Sequence, residues 1–358
     1  MRLSRRASAS MRDQLFDVAF MRASLYQLRP MATILLTGGA GYVGSHCALA
    51  LAGAGHRVIV YDNLHNGHRQ FVKWGPFVEG DIRDASALRA TFAEHKPDAV
   101  LHCAALIEVG ESVKEPARFW DNNVAGALTL LAAMREAGCA NFVFSSTCAT
   151  YGAPLRLPLD ETHPQNPVSP YGWTKLAVEQ ATREFAAAYG LKFAHLRYFN
   201  AAGAAPSEGI GERHDPESHA LPLALFTLLG RREGFKIFGT DYETRDGTCL
   251  RDYVHVRDLA DAHVRAIERL LGGGSSIAAN LGTGDGVTVR ELLAAIERVT
   301  GRAVPATPAP RRDGDSPALV ADNSLARREL GWAPARGIDE IIADAWEWHA
   351  RVEGLVFG

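Results

Sequence analysis

Tyr171 and Lys175 stand four residues apart, directly behind Pro170. On a helix that spacing places both side chains on one face. An ammonium held beside a phenol favours phenolate, because the positive charge stabilises the deprotonated oxygen. A phenolate is a base able to take a proton from a hydroxyl group. Upstream lies Ser145-Ser146-Thr147, at the end of an apolar run, and further upstream Gly38-x-x-Gly41-x-x-Gly44. Glycines so spaced permit a tight turn, close approach of backbone to a pyrophosphate, and helix–strand packing. A base on one side and a dinucleotide's hydride acceptor on the other would oxidise a hydroxyl. A bare Tyr-x-x-x-Lys is commonly a solvated pair on a helix. Here it follows a glycine turn and a strand ending in Ser-Ser-Thr, and that context points to catalysis. Cys148 has no base beside it in sequence and reads as a small buried residue.

The elements that must position these residues follow from the pattern. Thr33 to Thr37 is a short apolar strand, the glycine turn follows, and a helix runs from about Val43 to Ala54. A helix N-terminus there favours phosphate charge. His56 to Tyr61 is the next strand, and Asp62 closes it, roughly 20 residues past the glycines, where a carboxylate binds a ribose diol and repels a 2′-phosphate. That favours NAD over NADP. Phe77 to Glu79 is a strand leading to Gly80-Asp81-Ile82, and Ala99 to Cys103 is a buried strand. One long helix is expected over Glu115 to Ala137. It carries Asn122 and Asn123, whose amides either bridge neighbouring strands or form a polar face. Asn141 to Phe144 is a strand, Pro170 opens a helix to about Tyr189, and Leu191 to Arg197 is a strand leading to Tyr198-Phe199-Asn200. Continuous apolar strands alternating with helices predict an α/β, Rossmann-type doubly wound parallel sheet.

After Asn200 the alternation weakens, and Ala201 to His219 is loop-like. Residues 31–200 are therefore expected to form an NAD-binding Rossmann domain. Residues 201–358 are expected to form a smaller C-terminal α/β substrate domain, with some segments returning to the first sheet. Residues 1–30 are rich in Arg and Ser and poor in acids. They read as a disordered extension ahead of Met31, with an organelle transit peptide as the alternative.

The 358 residues carry 38 basic and 41 acidic side chains, a net charge of −3. That balance does not point to nucleic acid. No stretch approaches the roughly 20 apolar residues that span a bilayer. Five scattered cysteines without a Cys-x-x-Cys argue against a disulfide framework and for a reducing, cytoplasmic setting. Of the 13 histidines, the pairs His65/His68 and His214/His219 lack a convincing set of further ligands. No metal is expected.

From Met31 to about His349 the chain resembles the extended short-chain dehydrogenase/reductase family, and within it the UDP-glucose 4-epimerases. The carrying motifs, in order, include TGGAGYVGSH, VYDNL, GDIRD, DNNV, FSSTCATYG, SPYGWTK, LRYFNAAG, DGTCLRDYVHV, NLGTG and RRDGD. The Thr-Cys-Ala-Thr-Tyr and Ile-Glu-Val-Gly-Glu variants are similar to the branch linked to bacterial exopolysaccharide synthesis. The resemblance implies tightly bound NAD, a UDP-sugar between two domains, and a homodimer. It implies contacts to NAD from Gly38, Gly41, Tyr42, Val43, Asp62, Asn63, Asp81, Ile82, Asn122, Tyr171, Lys175 and Tyr198. It makes Thr147, Tyr171 and Lys175 the catalytic set, and places Thr147, Asn200, Arg251, Arg312 and Asp315 on the UDP-sugar. Arginine forks at 251 and 312 suit a diphosphate; ion pairing at the surface is their other reading.

The activity implied is inversion at carbon 4 by transient oxidation, interconverting UDP-glucose and UDP-galactose. Three positions depart from the family's usual pattern: Ile107 stands where a lysine is often found, Trp173 where Lys or Arg is commoner, and Leu319 at a position associated with sugar size. UDP-N-acetylhexosamine, or UDP-xylose and UDP-arabinose, are alternative substrates. A 4,6-dehydratase would carry Asp-Glu directly after the threonine, where Cys148-Ala149 stands, and a decarboxylase would need a glutamate there. A non-catalytic NAD sensor on this fold would tend to lack the Tyr/Lys pair.

Overall fold

The structure, a computed structural model, describes residues 31–312 and 315–358. The expected N-terminal extension over residues 1–30 lies outside the described residues. Seven parallel strands make the main sheet: β1 (Thr33–Thr37), β2 (Arg57–Asp62), β3 (Phe77–Glu79), β4 (Ala99–His102), β5 (Asn141–Thr147), β6 (Lys192–Tyr198) and, from much later in the chain, β11 (Ile277–Leu281). Their spatial order is β11-β6-β5-β4-β1-β2-β3. Ile34, Leu35, Leu36, Ile59, Val60, Val100 and Leu101 are fully buried, as strands covered on both faces require. The chain leaves β1 towards β2 on one side and returns to β4 on the other. That reversal opens a crevice at the carboxyl ends of the strands.

Helices α1 (Tyr42–Gly53), α2 (Ala85–His95), α3 (Gly126–Ala137) and α4 (Pro170–Tyr189) flank the sheet. Leu88, Phe92, Leu130, Leu131, Met134 and Val178 pack from α2, α3 and α4 against Leu35, Ile59, Val100, Phe142 and Phe144 of the strands. The expected helix over 115–137 is interrupted. A short turn at Pro116–Phe119 runs into a π-helical turn, Trp120–Ala125, before α3. The wider turn has a polar cause. Buried Asn123 accepts from Leu106 N at 2.8 Å and donates to Leu106 O at 3.0 Å and Thr174 Oγ1 at 3.1 Å. Its amide therefore stitches the loop after β4 to α4, the helix of Tyr171 and Lys175. Gly126 closes the turn because a Cβ there would meet Ile82 Cδ1 at 2.6 Å.

Beyond residue 200 the strands are short. β7 (Asn200–Ala202) pairs with β10 (Tyr253–His255), and β8 (Phe235–Phe238) pairs with β13 (Ala306–Ala309). β9 (Leu250–Arg251) lies between β12 (Val287–Thr288) and β14 (Ala318–Leu319), which sets Leu319 opposite Arg251. Leu221 and Leu225 of α5 (Ala220–Leu228), Leu292 and Ile296 of α7 (Val289–Thr300), and Ile341 and Ile342 of α8 (Ile338–Glu347) form this part's core with Phe235 and Ile237. Between them, α6 (Val256–Leu271) packs on α1 and on the main sheet. The Thr288–Glu291 capping box starts α7.

Candidate active site

The glycine turn between β1 and α1 makes one wall of a cleft of ≈ 410 Å³. Gly38 has φ +76°, and a Cβ there would lie 2.5 Å from Ala104 N. One on Gly44 would lie 2.1 Å from Gly38 O. These glycines let turn and loop backbones close on each other. Gly41 caps α1 without any side-chain hydrogen bond. The leading amides of that helix therefore face the cleft without a side-chain acceptor over them, an anion seat of the kind a pyrophosphate takes. Asp62 ends β2 at the cleft wall. Its carboxylate accepts from Ala40 N at 3.0 Å and Leu64 N at 2.8 Å. Burial raises the Asp62 pKa, and those two bonds oppose the rise. Open amides, a glycine cradle and a carboxylate at the end of the second strand fit NAD.

Thr147, Tyr171 and Lys175 line the same cleft. Ser169 caps α4 by accepting from Gly172 N, and Pro170 occupies its first turn. The helix so begun carries Tyr171 and Lys175 into the cleft. Lys175, only 3 % exposed, donates to Ser145 O at 2.9 Å, and its Nζ lies 5.9 Å from the centre of the Tyr171 ring. Burial lowers the Lys175 pKa to about 8, with Cys103 pulling the other way. Burial raises the Tyr171 phenol above its ordinary value, and the Thr147 hydroxyl opposes this through a hydrogen bond. Desolvation, not Lys175, sets the direction of the phenol's shift.

A buried network holds the end of β5 in place. Ser146 Oγ donates to Glu179 Oε1 at 2.7 Å, and Arg197 grips the same carboxylate at 2.8 and 2.6 Å. Arg197 also donates to Tyr151 Oη at 2.9 Å, which donates on to Asn280 Oδ1 at 2.6 Å. Burial alone would raise the Glu179 pKa; Arg197, together with His195 and Ser146, holds it down at about 2. Ser145 Oγ lies 3.0 Å from His263 Nε2 and 3.1 Å from Cys103 Sγ. Every hydroxyl of Ser145-Ser146-Thr147 is therefore occupied, but only Thr147 lines the cleft.

Most of the residues expected at the site come together. Gly38, Gly41, Tyr42, Val43, Asp62, Asn63, Ile82, Asn122, Thr147, Tyr171, Lys175, Tyr198, Asn200 and Arg251 line the one cleft, as does Leu319. Three lie behind it or apart from it. Asp81 turns its carboxylate to Arg83 at 2.7 Å and to Asn63 Nδ2 at 3.1 Å, so it steadies Asn63. Asp315 accepts from Arg251 at 2.9 Å. Arg312 is exposed, its guanidinium 3.8 Å above the Phe238 ring. Sequence reasoning passed over Leu106, Phe199, Glu212, His214 and His219 as wall residues. The last three sit in the stretch read as loop-like; their signal was three acids and two histidines within eight residues.

Residues 34–282 match the NAD dependent epimerase/dehydratase family. The chain is 61% identical over 319 residues to a UDP-glucose 4-epimerase of Rhizobium leguminosarum bv. trifolii, covering 89% of this chain and 98% of that one. It is similar to the crystal structure of a UDP-glucose 4-epimerase from Brucella ovis in complex with NAD, at 50% identity and a TM-score of 0.86, over 88% of this chain and 97% of that one. A UDP-glucose-4-epimerase from Stenotrophomonas maltophila, with bound NAD and formylated UDP-arabinopyranose, matches at 43% identity and a TM-score of 0.88, over 90% and 99%. The glycine turn, the Tyr171–Lys175 helix and the fold that unites them are thus features of a chain that belongs to the NAD dependent epimerase/dehydratase family.

Proposed function

We propose that this enzyme is a UDP-glucose 4-epimerase, an isomerase that interconverts UDP-glucose and UDP-galactose with NAD as its cofactor. The observation that carries the reading is that Thr147, Tyr171 and Lys175 share one cleft with the open-amide glycine turn and with Arg251. When bound, NAD supplies first the acceptor and then the donor of the carbon 4 hydride, so the sugar passes through a 4-keto form with no net redox change. Tyr171, as phenolate, takes the proton of the 4-hydroxyl, and Thr147 holds that oxygen by a hydrogen bond. Lys175, fixed by Ser145 O, adds positive charge beneath the phenol. Arg251, steadied by Asp315, presents a donor fork to the diphosphate. Binding energy placed on UDP leaves the hexose free to turn before Tyr171 returns the proton.

Cys148 and Ala149 line the cleft where a dehydratase needs an acid–base pair. Burial pushes the Cys148 thiol up to about 12, so it supplies neither. Leu319, opposite Arg251 in the small sheet, bounds the sugar end of our reading, and an N-acetylhexosamine or a pentose is the second substrate class it admits. We further read the enzyme as a cytoplasmic homodimer serving exopolysaccharide synthesis. Among the described residues no helix is long and apolar enough to cross a membrane. Exposed Trp120 and Trp173 share a groove with Leu176 and Ala177, a surface suited to a second copy.

The test is direct. Purified enzyme given UDP-galactose should yield UDP-glucose on anion-exchange chromatography. Tyr171→Phe should lower the rate by about 100- to 10,000-fold. Loss of water from the sugar without interconversion would replace this reading with a dehydratase. Bound NAD with neither reaction would make the chain a binding protein.

A further inference from the structure

Between the β7 region and α5 the chain reads Glu212-Arg213-His214-Asp215-Pro216-Glu217-Ser218-His219. Its two glutamates and two histidines converge. One ligand-type atom from each lies within 4.8 Å of all the others. His214 Nδ1 is 3.4 Å from Glu212 Oε1 and 3.5 Å from Glu217 Oε2. His219 Nδ1 is 2.9 Å from Glu212 Oε1 and 2.9 Å from Glu217 Oε1. A tetrahedral zinc site with bonds of about 2.0–2.1 Å has ligand atoms about 3.3 Å apart. The four side chains already stand close to that spacing.

A second observation points to a ligand at the centre. Glu217 has a side chain only 4% exposed, and its Oε2 has no hydrogen-bond partner. His214 Nδ1, facing it, has none either. Both are buried polar atoms that make long ion-pair contacts, 3.5 Å to each other and 3.4 Å from His214 Nδ1 to Glu212 Oε1, in place of hydrogen bonds. Among the described residues the other cluster of this kind, Cys47, Cys103 and His263, is different. There His263 is bonded at both ring nitrogens, to Ser145 Oγ and Leu259 O, and has no lone pair to spare.

We propose that Glu212, His214, Glu217 and His219 form a site for one divalent transition cation of the zinc class, closed by four protein ligands and structural in role. Two carboxylates neutralise the ion, and two neutral imidazoles complete a nitrogen–oxygen set. The surroundings say what the ion would hold. Glu212 O accepts from Trp348 Nε1 at 2.8 Å, and Arg213 O lies 3.2 Å from His68 Nε2. The His214 ring meets that of Tyr42, the first residue of α1, edge-on at 6.2 Å. Glu212, His214 and His219 also line the cleft. The cation would therefore lock a loop that walls the cleft against the start of the helix that faces NAD. This role is independent of which sugar the enzyme turns over.

The experiment uses untagged full-length enzyme, equilibrated with micromolar zinc and then dialysed. Plasma mass spectrometry should find about one zinc per chain. Glu217→Gln, which keeps the side chain's shape, and His214→Gln should each hold less than about a tenth of that, and Cys47→Ser should hold it unchanged. Should the variants fold poorly, cobalt-loaded wild type decides. It should show a tetrahedral visible spectrum without a thiolate charge-transfer band, and a strong chelator should lower its melting temperature by roughly 5 °C. Wild type that retains no zinc and melts alike with zinc or chelator would overturn the proposal, leaving the quartet as protonated ion pairs. Zinc kept by Glu217→Gln but lost from Cys47→Ser would overturn it too, in favour of the thiol cluster.

Discussion

Lys175 donates a hydrogen bond to the Ser145 carbonyl at 2.9 Å, while its ammonium lies 5.9 Å from the centre of the Tyr171 ring. The helix of Tyr171 and Lys175 is thereby tied to the end of strand β5, two residues before Thr147. The lysine acts as a fixed positive point beneath the phenol rather than as its hydrogen-bond partner. Holding it there is costly, since one carbonyl replaces a full hydration shell.

That cost predicts a stability–function exchange. Burial lowers the Lys175 pKa to about 8 from an ordinary 10.5. Between those values the unfolded chain binds a proton that the folded chain does not, so stability rises with pH there and the charge is a burden below pH 8. Lys175→Met should therefore stabilise the folded enzyme by about 1–3 kcal/mol at pH 7. The gain should vanish above about pH 10, while turnover falls at every pH. Urea unfolding of both proteins across that range measures the difference; a variant less stable at pH 7 contradicts the account.

Glu179 is the reverse case. Its carboxyl is held at about 2 by Arg197 against an ordinary 4.5. Its stabilising contribution is present above the ordinary value and is lost as pH falls towards 2. Glu179→Gln leaves Arg197 buried without its counter-charge and should cost about 3–5 kcal/mol at neutral pH. The variant's stability should also fall less steeply than wild type's on acidification. Equal acid limbs in the two unfolding curves would show that the pair carries no such weight.

Gly38 tests the dinucleotide wall. Alanine there meets both a positive φ of +76° and Ala104 N at 2.5 Å. Gly38→Ala should destabilise by about 1–3 kcal/mol. It should also leave purified enzyme with far less bound NAD, read by chromatography of the cofactor released on denaturation. Full retention of NAD would mean that the turn and the loop after β4 can part without consequence.

Leu319 tests the sugar end. Leu319→Tyr adds bulk opposite Arg251. We expect kcat/KM for a UDP-N-acetylhexosamine to fall by about tenfold or more relative to UDP-galactose. An unchanged ratio would remove residue 319 from substrate selection.

What the sequence determined by itself was whatever is local. Continuous apolar runs at β1, β2, β4 and β5 pointed to buried parallel strands, and the glycine spacing with Asp62 at the next strand end pointed to a close backbone approach. The Tyr171–Lys175 face followed from helical pitch. Tertiary structure decided what depends on distance across the chain. It broke the expected helix over 115–137, because the Asn123 amide had to reach Leu106 and Thr174 at once. It set Arg251 on the cleft wall but left Arg312 stacked outside on Phe238. It raised the proton affinity of Tyr171, since desolvation depends on everything packed around the ring. It also gathered Glu212, His214, Glu217 and His219 from a stretch that looked like plain loop. Periodicity reports which face of an element is apolar; it carries no record of which polar groups from separate elements will meet in a space without water.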